Sequence, residues 1–151
     1  MFMVLSFFGN RDFFEFQIDR KKLINLINNI IKDEKVDVYL GLQGNFDSFA
    51  LSVCREMKLT NDKIKIYFVP PYFDSYIKRM KRITDYYFDG IILPEINMKP
   101  EKFAIIRRNK WIIDQSDVVF CYTISNFGGA YTCLKYAQSH KKKVVDLRSV
   151  F

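Results

Sequence analysis

Two adjacent glycines provide the clearest chemical signal in this sequence. Gly128 and Gly129 follow an apolar segment, Asp117–Thr123, that is typical of a buried strand, and they open the helical pattern Gly128–His140. Glycines at such a turn leave backbone N–H groups free to point at an anion, and the dipole of the following helix favours negative charge. The pair therefore predicts a phosphate-bearing ligand at the end of a strand.

Two further glycine loops follow predicted strands in the same way. Gly9 ends the apolar run Met3–Phe8, and Gly41 and Gly44 follow Val36–Leu40. In open α/β sheets, ligands bind at the carboxyl ends of the strands, where the strand order reverses. Each loop by itself is equally compatible with a tight turn that binds nothing. Three loops of one type favour a shared ligand site.

Strand and helix patterns alternate along the chain. Helices are expected over 19–32, 46–58 with Asn45 as a cap, 74–83, 101–115 and 128–140, and strands over 3–8, 36–40, 63–69, 118–123 and 143–147, with a short one at 91–93. The strand runs are too continuously apolar for a sheet that faces water on one side. The sequence predicts an α/β fold, a Rossmann-like three-layer sandwich with a mostly parallel sheet, formed as a single domain over residues 1–151.

The charge of the chain suggests an anionic partner. The formal net charge is +7, and the basic residues are densest at Arg20–Lys22, Lys78–Arg82 and Lys141–Lys143. Each run lies on or beside a predicted helix, so a solvated helix face is the simpler explanation. The alternative is attraction of an anionic ligand or of nucleic acid. The apolar content excludes intrinsic disorder.

The cysteines and the single histidine suggest no metal site. Cys54, Cys121 and Cys133 have no metal-ligand spacing and lie in apolar surroundings, which predicts reduced, packed thiols. His140, the only histidine, lies at a predicted helix end. The N-terminal apolar run is too short for a signal peptide, and no run is long enough to span a membrane. These features predict a soluble, cytoplasmic protein.

The C-terminal motifs resemble the SLOG superfamily, a Rossmann-like group that includes LOG nucleotide hydrolases, YpsA-like (DUF1273) proteins and DprA. LOG enzymes carry Arg-Lys on a helix, then a strand, then Pro-Gly-Gly-x-Gly-Thr-x-x-Glu at the start of the next helix. Arg108, Gly128, Gly129 and Thr132 fall on matching positions. The resemblance implies a nucleotide-binding domain.

The other two glycine loops extend the resemblance over nearly the whole chain. Gly9–Asn10–Arg11 is similar to the Gly-His-Arg loop of the YpsA-like proteins, and Gly41–Asp47 is similar to their second glycine loop. The three motifs occur in the order that the superfamily has.

Three positions depart from the LOG pattern. Phe127 replaces the proline, Tyr131 replaces the third glycine, and Lys135 stands where LOG enzymes carry their catalytic glutamate. Cleavage of the base–ribose bond builds positive charge on the ribose, and a lysine has the wrong sign to stabilise it. The resemblance therefore favours binding without turnover, and no catalytic residue or cofactor is assigned. Glu15 and Glu95 are the best remaining acid–base candidates, and each has a structural alternative.

The loops and the resemblance define a candidate ligand site. In it Arg108 would pair with phosphate, with Arg107 competing for that role; Asp47 would accept hydrogen bonds from ribose hydroxyls, and Tyr131 would stack on a base. Each residue also has a structural interpretation, such as a salt bridge, dipole complementarity or packing. The predicted ligand-binding residues are Gly9, Asn10, Arg11, Gly41, Gly44, Asp47, Arg108, Gly128, Gly129, Tyr131 and Thr132.

Three functions follow from these observations. The first is a sensor or sponge that binds and sequesters a nucleotide-derived signal, such as ADP-ribose, an NAD derivative or a cyclic nucleotide. The second is a LOG-like hydrolase of N-glycosidic bonds. The third is a DprA-like DNA-binding module that uses Tyr76–Arg82 as a basic strip with aromatic neighbours. The high aromatic content and the pairing of LOG relatives predict a homo-oligomer.

Overall fold

The computed structural model of the protein describes residues 2–71, 75–96 and 99–150. The elements in chain order are β1 (Phe2–Gly9), α1 (Arg20–Ile31), β2 (Lys35–Leu40), α2 (Asn45–Lys58), β3 (Ile64–Phe68), α3 (Ser75–Tyr87), β4 (Gly90–Ile91), α4 (Ala104–Gln115), β5 (Val118–Tyr122), α5 (Gly129–Ser139) and β6 (Lys143–Asp146). Short 3₁₀ turns lie at Glu15–Gln17, Glu101–Phe103 and Leu147–Ser149. The predicted start of the third helix, Asp74, lies outside the described residues.

The six described strands form one sheet in the order β4-β3-β2-β1-β5-β6. Every neighbouring pair of these strands is parallel. From β1 the chain adds β2, β3 and β4 on one side, and it then returns to the other side of β1 with β5 and β6. The strand order therefore reverses between β1 and β5, where open α/β sheets form their ligand crevice.

Helices cover both faces of the sheet. On one face, Leu23 and Ile27 of α1 and Val53 of α2 pack against alternate strand residues such as Leu5 and Phe120. On the other face, α4 and α5 cover the intervening residues of the strands. Ile112 of α4 and Cys133 and Ala137 of α5 pack there against Val119 and Cys121. A strand buried on both faces needs a continuous apolar run, which explains why the strands were readable in the sequence. The structure confirms the predicted α/β sandwich, with a sheet that is wholly parallel in the described residues.

Several details differ from the sequence-based expectation, and one of them is that α3 continues to Tyr87 instead of ending at Ile83. The helix predicted to be capped by Asn45 has Gly44 as its N-cap and no side-chain capping bond, and Asn45 is its first helical residue. The segment predicted as one helix over 101–115 divides into a 3₁₀ turn and α4. Differences of one or two residues at helix ends are usual, because cap geometry depends on the loop before it.

The three cysteines are buried and unpaired, as their apolar surroundings predict. In the described part of the chain, no helix combines the length and the apolar character that a bilayer span requires.

Candidate nucleotide-binding site

A pocket of about 340 Å³ opens at the carboxyl edge of the sheet. It lies at the point where the strand order reverses, between the loops that leave β1 and β2 and the helices α4 and α5. Its lining residues are Phe8, Gly9, Asn10, Arg11, Gly41, Gln43, Gly44, Asp47, Ile105, Arg108, Asn109, Gly129, Ala130 and Cys133. A volume of this size is within the range of small-molecule sites, about 300–1,000 Å³.

Arg108 forms the floor of this pocket. Its side chain is fully buried, with a relative exposure of 0%. One terminal nitrogen, Nη1, donates to the carbonyl oxygens of Gly41 at 3.2 Å and of Val69 at 2.8 Å, and Nε donates to the Asn109 amide oxygen at 2.7 Å. The guanidinium thus joins α4 to the ends of β2 and β3. A buried charge held in this way presents a fixed positive field to the pocket.

Gly41 is required by this arginine. A Cβ atom built on Gly41 would lie 2.6 Å from Cζ of Arg108, closer than any packed carbon tolerates. The absence of a side chain at Gly41 therefore lets the β2 loop lie directly on the guanidinium. This close approach explains one of the glycines that the sequence suggested for ligand contact.

Arg11 supplies a second cation from the loop after β1. The residue is exposed and lines the pocket, and its carbonyl oxygen accepts the Asn45 N–H at 2.9 Å. A Cβ atom on Gly44 would lie 2.8 Å from the Arg11 Cα, so the two loops are in close contact. The amide oxygen of Asn10 accepts the Ile124 N–H at 3.2 Å and ties this loop to the one after β5. Arg11 is thereby held at the pocket by its neighbours on both sides.

Among the described residues, Asp47 is the only acidic one in the pocket lining. It lies in the first turn of α2, and its carboxylate accepts the backbone N–H of Gln43. Burial raises the pKa of Asp47, while the Gln43 N–H and the guanidinium groups of Arg108 and Arg11 oppose that rise. Two guanidinium groups and one carboxylate leave the pocket with net positive charge, which suits an anionic ligand.

The start of α5 closes the pocket on the β5 side. Gly128 is the N-cap residue and has a φ of 96°, in the left-handed region that favours glycine. No side chain caps the helix, so the backbone N–H groups of its first turn are available to an anion. A Cβ on Gly129 would meet no atom within 4 Å, and the residue lines the pocket. Packing does not explain the glycine at 129, whereas close approach of a ligand would.

The structure brings eight of the predicted ligand residues together in the pocket lining. They are Gly9, Asn10, Arg11, Gly41, Gly44, Asp47, Arg108 and Gly129. Gly128, Tyr131 and Thr132 lie outside that lining. The Thr132 hydroxyl donates to the Gly128 carbonyl oxygen at 2.9 Å, and the Tyr131 ring lies 5.9 Å from Nζ of Lys135.

Of the two neighbouring arginines considered for pairing with phosphate, Arg108 lines the pocket and Arg107 does not. Arg107 donates instead to the Lys99 carbonyl oxygen, and its guanidinium lies 5.8 Å from the Phe103 ring centre. The alternative interpretation of Arg108 as a surface salt bridge is wrong, because the side chain is completely buried. Glu15 and Glu95 are exposed and do not line the pocket.

The sequence analysis did not select several polar and sulfur-bearing lining residues. Gln43 lies within the second glycine loop, Asn109 follows Arg108, and Cys133 lies one helical turn after Gly129. Their closeness in sequence to the selected residues is the signal that could have identified them. Burial raises the pKa of the Cys133 thiol to about 12, so it is protonated and unreactive at neutral pH.

The predicted basic strip lies on α3, away from the pocket lining. Lys78, Arg79, Lys81 and Arg82 are exposed there, and Lys81 pairs with Asp85 at 3.1 Å. The Tyr76 side chain lies outside the described part of the chain. Within the described residues, no group of three histidine, cysteine or acidic side chains is placed to hold a metal ion.

Comparison with known proteins identifies the fold. No family model matches the sequence, and no curated protein sequence matches it. The structure is similar to that of DNA processing protein A (DprA) from Streptococcus pneumoniae, with a TM-score of 0.67 and 19% identity over 96% of this chain and 50% of that one. It is also similar to DprA from Helicobacter pylori, whose structure concerns single-stranded DNA binding, with a TM-score of 0.65 and 19% identity over 95% of this chain and 64% of that one.

These likenesses define the class of the fold. The chain has a Rossmann-like α/β fold of the kind found in DprA. It spans 50% and 64% of the two DprA chains, so each of those proteins contains substantial structure beyond the matched region.

Proposed function

We propose that the protein binds single-stranded DNA and that the pocket at the carboxyl edge of the sheet holds one nucleotide unit through its phosphate. The observation that carries this proposal is the pairing of two arginines with an uncapped helix N-terminus around one cavity. Arg11 and Arg108 supply positive charge, and the first turn of α5 supplies N–H donors. Phosphate is the group that such a combination recognises best.

The DprA likeness supports a strand rather than a free nucleotide as the ligand. One of the similar structures is of a protein that binds single-stranded DNA. The net charge of +7 also suits a polyanion, because each phosphate that is neutralised releases condensed counterions. The exposed cations of α3 at Lys78, Arg79 and Arg82 would add sequence-independent phosphate contacts outside the pocket.

A free nucleotide derivative is the second candidate, and the shape of the pocket favours it. A cavity of about 340 Å³ with Asp47 on one wall suits a single nucleotide whose ribose hydroxyls donate to the carboxylate. A sensor or a sponge for a signalling nucleotide, as the sequence suggested, would use the same residues.

Hydrolysis of a glycosidic bond has less support than either form of binding. Lys135, which occupies the position of the LOG glutamate, is exposed on α5 and does not line the pocket. Asp47 is the one carboxylate among the described lining residues, and it already accepts the Gln43 N–H. An enzyme of this type would need a second group to protonate the leaving base, and the described lining residues supply no carboxyl group besides Asp47.

Fluorescence anisotropy with a labelled dT12 oligonucleotide tests the proposal. Arg11→Ala should weaken binding about ten- to a hundredfold, the value of one charge-assisted contact to phosphate. Lys21→Ala on α1 removes the same charge from an exposed residue outside the pocket lining and serves as the matched control. Gly129→Ala should also weaken binding, because its methyl group would enter the open space beside the helix N-terminus.

Salt and nucleotide titrations separate the two candidates. Binding of DNA should weaken steeply between about 50 and 200 mM salt. If wild-type protein does not bind dT12 at low salt, the DNA proposal is wrong. A melting shift of about 5–10 °C with AMP, ADP-ribose, NAD or a cyclic dinucleotide at a hundred times its Kd would then support the second candidate.

A further inference from the structure

Among the described residues, three phenylalanines in the segments that follow β1 and β5 are exposed to solvent. Phe16 has a relative exposure of 86%, Phe127 of 78% and Phe14 of 58%. Phe14 and Phe16 lie in the segment between β1 and α1, and Phe127 lies in the loop between β5 and α5. We call these three residues the aromatic rim.

The residues of the aromatic rim lie in the segments that come after β1 and β5, the two strands between which the strand order reverses. β1 and β5 are neighbours in the sheet, with Gly9 opposite Tyr122 at their carboxyl ends. The Asn10–Ile124 hydrogen bond joins the two loops directly. Phe127 immediately precedes Gly128 and Gly129 at the start of α5, and both loops adjoin the pocket lining.

The hydrophobic core does not account for these rings. Phe13, their neighbour in sequence, is buried and packs its ring 5.2 Å from Phe46 and 5.3 Å from Tyr122. Phe14 and Phe16 are exposed instead, and their rings stack on each other with centres 5.8 Å apart and an interplanar angle of 16°. Exposed apolar surface beside a polar pocket is a mark of an interaction site.

We infer that the aromatic rim stacks on the bases of a single strand that continues beyond the nucleotide in the pocket. This inference rests on the proposed function and adds the residues that contact the next bases. Aromatic rings beside a positively charged groove are the usual platform for single-stranded nucleic acid, since every base has a face to stack. Arg11, which lines the pocket from the loop after β1, supplies the charge that contacts the phosphate backbone.

Charge favours a nucleic acid over a second copy of the chain as the occupant. The chain carries +7 and Arg11 lines the adjoining pocket, so this surface attracts a polyanion. Affinity should therefore rise with strand length past the single nucleotide that the pocket holds, with little dependence on base identity.

A length series with a double variant tests the inference. Wild-type protein should bind dT8 more tightly than dT2, and Phe16→Ala with Phe127→Ala should reduce the dT8 affinity about ten- to a hundredfold while leaving the dT2 affinity within twofold. Both rings are exposed, so the melting temperature of the variant should match that of wild type. Phe2→Ala, an equally simple loss of an exposed ring at the opposite end of β1, is the matched control.

Three results would overturn the inference. Equal dT8 affinity in the double variant and in Phe2→Ala would show that the rim does not touch the strand, while the proposed function stands if Arg11→Ala still weakens binding. Failure of wild-type protein to bind any oligonucleotide would remove the proposed function and this inference together. A fall in sedimentation mass in the double variant, with unchanged dT8 affinity, would assign the rim to contact between copies of the chain.

Discussion

Replacement of Arg108 should cost more stability than any other single arginine change at the site. An exposed arginine could be replaced with little loss of stability, but the relative exposure of Arg108 is 0%. Its Nη1 and Nε groups bond to Gly41, Val69 and Asn109. Removing the side chain leaves two buried carbonyl oxygens without a charged donor and opens a cavity between α4 and the sheet.

The magnitude follows from those contacts. A hydrogen bond to a charged group contributes about 1.5–3 kcal/mol to stability. In Arg108→Ala, each of the two carbonyl oxygens loses one such bond. Relief of the cost of burying the guanidinium charge offsets part of this loss, and the cavity adds to it. The expected destabilisation is about 3–5 kcal/mol, or roughly 6–20 °C in Tm for a domain of this size.

Urea unfolding followed by circular dichroism measures this change. Arg107→Ala, whose guanidinium contacts an exposed carbonyl and a ring, should lose less than about 1 kcal/mol and serves as the control on the same helix. Arg108→Lys should lose an intermediate amount of stability. An ammonium keeps the charge, but it lacks the planar set of donors with which the guanidinium reaches both carbonyl oxygens and Asn109. A loss below about 1 kcal/mol for Arg108→Ala would refute the structural role assigned to this residue.

Three further predictions concern the pocket and the assembly. Gly41→Ala should destabilise the fold by about 1–3 kcal/mol in urea, because its Cβ would lie 2.6 Å from Cζ of Arg108, whereas Gly129→Ala, whose Cβ meets open space, should not. Burial raises the pKa of Asp47, so the folded protein is more stable when this carboxyl group is protonated. That stability is fully present below the unfolded pKa of about 3.9, and it is lost as the pH rises through the folded pKa. Asp47→Asn should therefore melt higher than wild type at pH 7 and lose that advantage near pH 3; an equal difference at both pH values would contradict the assigned shift. Finally, the expected homo-oligomer should sediment at a multiple of 18.0 kDa at micromolar concentration, and a monomer mass would reject it.

The sequence by itself determined the class of fold and the edge of the sheet that holds the pocket. Strands buried on both faces require continuous apolar runs, and helices on a sheet require apolar residues three and four apart, so both patterns are written locally. The glycines at 9, 41, 44 and 129 mark the loops that leave the strands, and these loops do line one pocket. Local signals sufficed because each element forms from residues that are neighbours in the chain.

The boundaries of single elements and the orientation of similar residues were not determined in this way. Asn45 has the right side chain for a helix cap, yet the backbone of Gly44 takes that position because the β1 loop lies against it at Arg11. Phe13, Phe14 and Phe16 are chemically alike and almost adjacent, but only Phe13 faces the core. No local rule distinguishes them, since the direction of each ring depends on what the rest of the chain places beside it.

Only the tertiary structure decided the role of Arg108. The sequence marked it as an exposed or ligand-facing arginine on a helix, since charged residues are rarely buried without partners. Its partners are the carbonyl oxygens of Gly41 and Val69, which are 67 and 39 residues away in the chain. Parallel strands bring their carboxyl ends to one edge, where the carbonyls of the following loops can together compensate a buried charge. That compensation exists only after the sheet has assembled, so no segment of the sequence contains it.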